Sequence, residues 1–145
     1  MVAAFIVTRS VGSRSRSVGV ATLAYALASL AHHVHNAEQL AAYPNLPPGL
    51  TRPVVYAAWA AVTFVGASGY LLYRGSHVRT GLALLGVYGA LGFYGLAHYA
   101  VAPVAAHSLA MNLTIGCEVA TAALLVVCVA REARRQLRVK AASGT

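Results

Sequence analysis

The feature of this sequence that most constrains its fold is a set of four apolar runs, at about 18–40, 54–73, 80–101 and 108–130. An α-helix rises about 1.5 Å per residue, so about 20 residues cross the hydrocarbon core of a bilayer, which is roughly 30 Å thick. The chain of 145 residues is 59% hydrophobic and 10% charged, which is too apolar for a soluble domain of this size. We therefore predict an all-α membrane protein, with four transmembrane helices in an up-down bundle joined by short loops.

The basic residues predict the orientation of these helices. One of the eleven Lys and Arg residues, Arg52, lies on one side, and the other ten lie on the opposite side: Arg9, Arg14, Arg16, Arg74, Arg79, Arg131, Arg134, Arg135, Arg138 and Lys140. The positive-inside rule then places both termini in the cytoplasm. The predicted organisation is a basic lead-in (1–16), the bundle (17–130) and a basic tail (131–145) that contacts anionic lipid headgroups. Topology explains the net charge of +8, so no nucleic-acid partner is expected.

A cleaved signal peptide is the alternative interpretation of the first run, which contains Ala26-Leu27-Ala28 after a basic segment. The Pro- and Gly-containing loop at 43–49 is instead typical of a turn between two retained helices. We therefore predict that the first run stays in the bundle.

A dense group of polar residues ends the first run, over Ala31-His32-His33-Val34-His35-Asn36-Ala37-Glu38-Gln39. The whole chain has 6 His and 3 acidic residues, so this segment holds an unusual share of both. Ionisable residues inside a membrane are energetically expensive and usually functional. His32, His35 and Glu38 are the candidates for chemistry in this segment.

Other polar residues are predicted to converge on the same end of the bundle. His98 lies near the outer end of the third run, and His107 begins the fourth. Helical spacing gives three runs a polar or aromatic stripe, which would lose hydrogen bonds if it faced lipid. The stripes are Tyr25, Ser29, His32 and Asn36; Trp59, Thr63, Gly66 and Tyr70; and His107, Met111, Thr114 and Glu118. We predict a pocket near the outer leaflet whose ligand-binding residues are His98, His107, Thr114, Tyr25 and Trp59.

Glu118 is the most demanding single residue, because it lies about eleven residues into the fourth run, or roughly 16 Å deep. An unpaired carboxylate at that depth is very costly. Glu118 must therefore be protonated, or be paired with a His, a metal or a cationic ligand, since no Lys or Arg lies at that depth in the sequence. We expect it to hold or donate a proton in the pocket.

Glycines occupy positions 86, 89, 92 and 95 of the third run, and His98 follows at the same spacing. Small residues at such intervals allow a neighbouring helix to approach closely. We expect this stripe to serve helix packing; the functional alternative is that the close packing also presses His98 towards its neighbours.

The segment His35-Asn36-Ala37-Glu38-Gln39 resembles the signature of the HXXEE family. That family consists of small bacterial integral membrane proteins with about four spans, named for a motif near the N-terminus. His35 and Glu38 match the motif, and Gln39 stands where the family has a second Glu. The resemblance implies a multi-pass protein of the bacterial plasma membrane and assigns no activity.

Four functions remain open from the sequence. The first is an enzyme for a lipid-like substrate, with His32 or His35 as base, Glu38 orienting it and Glu118 supplying a proton. The second is a zinc, iron or copper site, and the third is haem b between His32 and His98. The metal ligands would come from His32, His35, Glu38, His98 and His107. The fourth is a non-catalytic bundle that binds an apolar small molecule or a partner; membrane lipids and a homo-oligomer are the other expected partners.

Overall fold

The computed structural model describes residues 15–143, which are helical apart from short connections. The helices are α1 (Arg16–Glu38), α2 (Arg52–Arg74), α3 (Val78–Leu91), α4 (Ala97–Val101) and α5 (Leu109–Ser143). Short 3₁₀ segments occupy Leu40–Ala42, Gly92–Leu96 and Val104–Ala106. Most of the predicted lead-in (1–16), with Arg9 and Arg14, lies outside the described residues.

Four helical segments are long and apolar enough to cross a membrane: Arg16–Glu38, Arg52–Arg74, Val78–Val101 and Leu109–Ala142. Between 17% and 33% of the residues in their most apolar stretches are buried inside the protein. Large apolar side chains such as Leu23, Phe64, Leu71 and Leu113 point outward and are more than half exposed. An apolar exterior of this extent suits lipid better than water. The all-helical fold with four long apolar helices agrees with the sequence-based prediction.

Contacts between helix ends show that neighbouring helices run in opposite directions. The Ser15 backbone N–H at the start of α1 donates to the Tyr73 hydroxyl at the end of α2, at 3.0 Å. At the other end of the bundle, the Asn45 side chain in the α1–α2 connection donates to the Val101 carbonyl at the end of α4, at 3.2 Å. The predicted up-down connectivity accounts for both contacts.

The third span is divided, whereas the sequence predicted one continuous helix at 80–101. It consists of α3, the 3₁₀ segment and α4, and two of its glycines lie where the helix tightens. A Cβ atom on Gly92 would stand 2.5 Å from the Ala122 Cβ and 2.7 Å from the Tyr25 ring, and one on Gly89 would stand 2.9 Å from Val126. These distances confirm the close approach that the glycine spacing predicted, and they identify α1 and α5 as the neighbours.

The last helix, α5, is longer than its predicted span at 108–130, because it continues to Ser143 over 35 residues. At about 1.5 Å per residue it extends roughly 50 Å, well beyond a hydrocarbon core of about 30 Å. The basic segment from Arg131 onwards is therefore a helical extension of the bundle through Ser143. Its Glu132 is 3% exposed and accepts hydrogen bonds from Arg135 and Gln136.

Candidate functional site

Glu118 lies between α1 and the third span, and two histidines of α1 face its carboxylate. His32 Nε2 is 3.6 Å from Glu118 Oε2, and His33 Nδ1 is 3.8 Å from Oε1. Glu118 is 3% exposed and His32 is 2% exposed. Among residues 15–143, only these histidines have a basic nitrogen within 4.0 Å of the Glu118 carboxylate. Histidine side chains, one of the partners that the sequence left open for Glu118, are thus the neighbours of its carboxylate.

Asn36 joins the histidines of two helices. Its Nδ2 atom lies 2.9 Å from His32 Nε2 and 3.4 Å from His98 Nε2. An amide NH₂ group has two hydrogens and donates both, so this geometry makes both Nε2 atoms acceptors. Each of these two neutral rings would then have its proton on Nδ1. His32 Nδ1 is buried without a hydrogen-bond partner in the described part of the chain.

His33 is fixed by its own helix. Its Nδ1 atom lies 2.9 Å from the Ser29 carbonyl oxygen. A carbonyl can only accept, so Nδ1 has the proton and donates it, close to Glu118. The Ser29 hydroxyl lies beside both the Glu118 carboxylate and the Tyr25 hydroxyl. We refer to His32, His33, Asn36, His98 and Glu118 as the His/Glu cluster.

A row of rings leads from the His/Glu cluster towards the end of the bundle. The His32 and His98 ring centroids are 5.3 Å apart, and those of His98 and His107 are 6.1 Å apart. Tyr43 packs beside the row, with its ring centroid 5.1 Å from His98 and 6.5 Å from His107. His107 itself is held by a hydrogen bond from Nδ1 to the Pro103 carbonyl, at 3.1 Å. His98 and His107 therefore lie together, as predicted, and only His98 approaches Asn36.

Tyr43 packs against this row of rings and is also hydrogen-bonded to His35. The Tyr43 hydroxyl lies 2.9 Å from His35 Nδ1. Burial raises the pKa of Tyr43 to about 12, while a hydrogen bond with Thr114 acts in the opposite direction. The hydroxyl thus keeps its proton at neutral pH and can donate it to His35. His35 and Thr114, both predicted site residues, thus meet at Tyr43.

Glu38 lies apart from the His/Glu cluster and close to α2. It accepts a hydrogen bond from the Tyr56 hydroxyl at 3.0 Å and pairs with Arg52 at 3.4 Å. Its side chain is 46% exposed, and that of Arg52 is 61% exposed. Glu38 therefore does not orient His32 or His35 in this arrangement. The contact links the ends of α1 and α2.

The two aromatic residues predicted to bind ligand have different surroundings. Tyr25 is 1% exposed and its ring centroid is 4.4 Å from that of Tyr88. Its ring packs next to Gly92, and its hydroxyl interacts electrostatically with the Glu118 carboxylate. Trp59 has an Nε1 atom that is buried with no hydrogen-bond partner among the residues described. Trp59 thus presents an unused donor from α2.

A glycine allows the Glu118 carboxylate to fit against the third span. A Cβ atom on Gly95 would stand 3.1 Å from Glu118 Oε2. The carboxylate consequently occupies space that any larger residue would restrict. The glycine stripe therefore leaves room for the Glu118 carboxylate and also allows the helices to pack closely.

The residues predicted to hold a metal or haem do not gather at one place in the described part of the chain. Residues 15–143 contain no group of three or more His, Cys, Asp or Glu side chains placed to hold a metal ion. The predicted ligand set is divided, because His35 binds Tyr43 and Glu38 binds Arg52. The Asn36 amide lies within hydrogen-bonding range of both His32 Nε2 and His98 Nε2, the atoms that would bind a haem iron.

Sequence reasoning did not assign roles to three residues of the site. Asn36 and Ser29 belong to the predicted α1 stripe, and their i±4 spacing from His32 and His33 was the available signal. His33 lies about 100° further round the helix than His32, so helical spacing alone leaves open whether the two rings share a neighbour. Both rings nevertheless reach Glu118, each approaching a different carboxylate oxygen.

Comparisons of the chain with protein-family models, with curated proteins and with solved structures give no match in any of the three.

Proposed function

We propose that this chain is a multi-pass protein of the bacterial plasma membrane with both termini in the cytoplasm, and that it belongs to the HXXEE family. The start of α1 lies beside the end of α2, so Arg16 and Arg74 share one end of the bundle. Arg52, the single basic residue assigned to the other side, pairs with Glu38. This asymmetry supports the orientation through the positive-inside rule.

We further propose that the protein is an enzyme that transfers protons to and from a lipid-like substrate. The observation that supports this most directly is the contact of Glu118 with His32 at 3.6 Å, where both side chains are almost fully buried. Carboxyl and imidazole groups within reach of each other form the usual general acid–base pair. The apolar exterior of the helices favours a substrate that arrives from the bilayer.

The hydrogen bonds suggest a role for each side chain. Asn36 donates to His32 Nε2, so the lone pair of this nitrogen points towards the amide and Glu118. A carboxylate beside that lone pair would be repelled, so Glu118 holds the proton. An imidazole nitrogen has one lone pair, so Nε2 takes this proton and exchanges it with the substrate when the Asn36 amide moves off it. Asn36 is a positioning residue for the resting pair. His33 anchors the second carboxylate oxygen.

Reconstitution in deuterated water tests this activity without knowledge of the substrate. Purified protein would be placed in vesicles of total bacterial lipid extract in D₂O, and the lipids compared by mass spectrometry with vesicles lacking protein. We expect a lipid species that gains deuterium or changes mass. Glu118→Gln and His32→Asn should reduce its formation by about 100-fold or more, the usual contribution of acid–base catalysis.

Glu38→Gln is the matched control, because it makes the same change from carboxylate to amide at the end of α1. There the carboxylate belongs to an exposed ion pair with Arg52. This variant should retain full conversion, and circular dichroism would establish that all variants keep their helices. Conversion by Glu118→Gln at the wild-type rate would refute the proposal. So would a lipid extract that wild-type protein leaves unchanged.

A further inference from the structure

Three buried side-chain atoms of α1 and α2 have no hydrogen-bond partner in the described part of the chain: His32 Nδ1, Asn36 Oδ1 and Trp59 Nε1. Because His32 Nε2 accepts from Asn36, His32 Nδ1 has the ring proton and is a donor. The Trp59 indole N–H is a second donor, and Asn36 Oδ1 is an acceptor. A buried polar group without a partner is energetically costly, so this set favours a ligand that pairs with it.

These three atoms belong to side chains at one depth of the bundle. At the outer end, the Tyr56 hydroxyl of α2 donates to Glu38 of α1, and Trp59 lies about 4.5 Å further in along α2. Asn36 and His32 lie about 3 Å and about 9 Å further in than Glu38 along α1. Trp59 is therefore level with the stretch of α1 between Asn36 and His32.

Trp59 and Glu118 approach this level from opposite sides of the bundle. Helices α1 and α3 each pack against both α2 and α5, so α2 and α5 lie across from each other. Trp59 shares its face of α2 with Gly66, which follows at i+7. A Cβ atom on Gly66 would stand 2.5 Å from the Tyr88 ring, and Tyr88 also packs against Tyr25. The Trp59 face of α2 is thus the one that packs against the inside of the bundle.

The Trp59 side chain also reaches the apolar exterior. Its Nε1 atom is buried, while the residue as a whole is partly exposed. Exposed alanines flank it at positions 57, 58, 60 and 61, and such small side chains leave room for a hydrocarbon chain beside the indole ring. Trp59 therefore connects the apolar surface of α2 with the polar atoms inside.

We propose that this level binds the hydroxyl group of an alcohol with a long hydrocarbon chain. The hydroxyl oxygen accepts from Trp59 Nε1 and His32 Nδ1, and its hydrogen is donated to Asn36 Oδ1. A carbonyl, ether or carboxylate oxygen has no hydrogen for Asn36, and an ammonium group has no acceptor for the two N–H groups. The hydrocarbon chain lies along the alanine surface of α2. This inference rests on the proposed function and names the polar group that its lipid-like substrate carries.

Tryptophan fluorescence measures binding at this level, because Trp59 is the one Trp of the chain. Full-length protein in micelles would be titrated with 1-hexadecanol, and with hexadecyl methyl ether as the matched probe that lacks the hydroxyl hydrogen. We expect a saturable change in emission with 1-hexadecanol. The ether should bind about tenfold more weakly, because it leaves a buried acceptor without its partner.

Photo-crosslinking with a diazirine-bearing hexadecanol tests the indole donor, since it needs no fluorophore. Trp59→Phe should lower the affinity measured by crosslinking about tenfold. Tyr56→Phe is the matched control on α2, because it removes an aromatic polar group that already has Glu38 as partner, and it should leave the affinity unchanged. Circular dichroism verifies that both variants keep their helices.

Equal affinities for the alcohol and the ether would overturn the proposal, and so would equal crosslinking by Trp59→Phe and Tyr56→Phe. Failure of the two proposals can be told apart, because binding of 1-hexadecanol requires no turnover. Selective binding of the alcohol supports this site even if no lipid is converted in D₂O. Conversion of a lipid without any preference for the alcohol overturns this site and leaves the proposed enzyme standing.

Discussion

Alanine at Gly92 should destabilise the protein, whereas alanine at Gly86, six residues earlier in the same span, should stabilise it. An added Cβ on Gly92 would lie 2.5 Å from Ala122 Cβ and 2.7 Å from Tyr25 Cε2. Carbon atoms pack best at about 3.5–4.0 Å, so α5 or the Tyr25 ring must move by roughly 1 Å. Such overpacking costs about 1–3 kcal/mol of unfolding free energy.

Gly86 provides the matched control because its added Cβ would meet only Val129, at 3.8 Å, an ordinary contact. Replacing a helical glycine by alanine at such a position should stabilise by about 0.5–1 kcal/mol. The two variants should therefore differ by about 1.5–4 kcal/mol, with opposite signs relative to wild type. Gly89→Ala should fall between them, since its close neighbour at 2.9 Å is the end of the Val126 side chain.

Unfolding by sodium dodecyl sulfate in mixed detergent micelles, followed by circular dichroism, measures these differences. We predict the order Gly86→Ala, wild type, Gly89→Ala, Gly92→Ala, from most to least stable. Equal stabilities for Gly86→Ala and Gly92→Ala would refute the close packing of the third span against α1 and α5. A stabilised Gly92→Ala would refute it as well.

Three further predictions concern polar contacts outside the His/Glu cluster, and the same unfolding assay tests them. Glu132→Gln should destabilise by about 1.5–3 kcal/mol, because it removes charge-assisted hydrogen bonds at a buried carboxylate; an unchanged midpoint would contradict this. Tyr43→Phe should cost about 1 kcal/mol and alter the nitrogen NMR signal of His35, whose hydroxyl partner is lost. Arg52→Gln should change stability by less than about 1 kcal/mol, since its pair is exposed, and a larger loss would show a structural role.

Several features of the site follow from one-dimensional patterns in the sequence. Glu118 had to find a polar partner because an isolated carboxylate is so costly within an apolar helix. The spacing of Ser29, His32 and Asn36 places them along one side of α1, and this side faces Glu118 in the structure. The positions of the glycines likewise predicted a close helix contact, which occurs at Gly89 and Gly92.

Other contacts of the site could not be predicted, because they join residues of different structural elements. Nothing in the local sequence indicates that Tyr43 folds back onto His35, or that Arg52 reaches Glu38, because each pair joins a helix end to a different element. These contacts divided the segment His32–Glu38 between two roles. His32 contacts Glu118, His35 contacts Tyr43 in the α1–α2 connection, and Glu38 contacts Arg52 at the start of α2.

The sequence by itself determined the number of apolar helices, their approximate bounds and the need for an internal partner at Glu118. It could do so because hydrophobic length and the cost of a buried charge are properties of single segments. Only the tertiary structure decided that His33 joins His32 at the carboxylate, that Asn36 links His32 to His98, and that the third span tightens at Gly92–Leu96. These features depend on the rotation and separation of packed helices, which side chains from several distant segments set together.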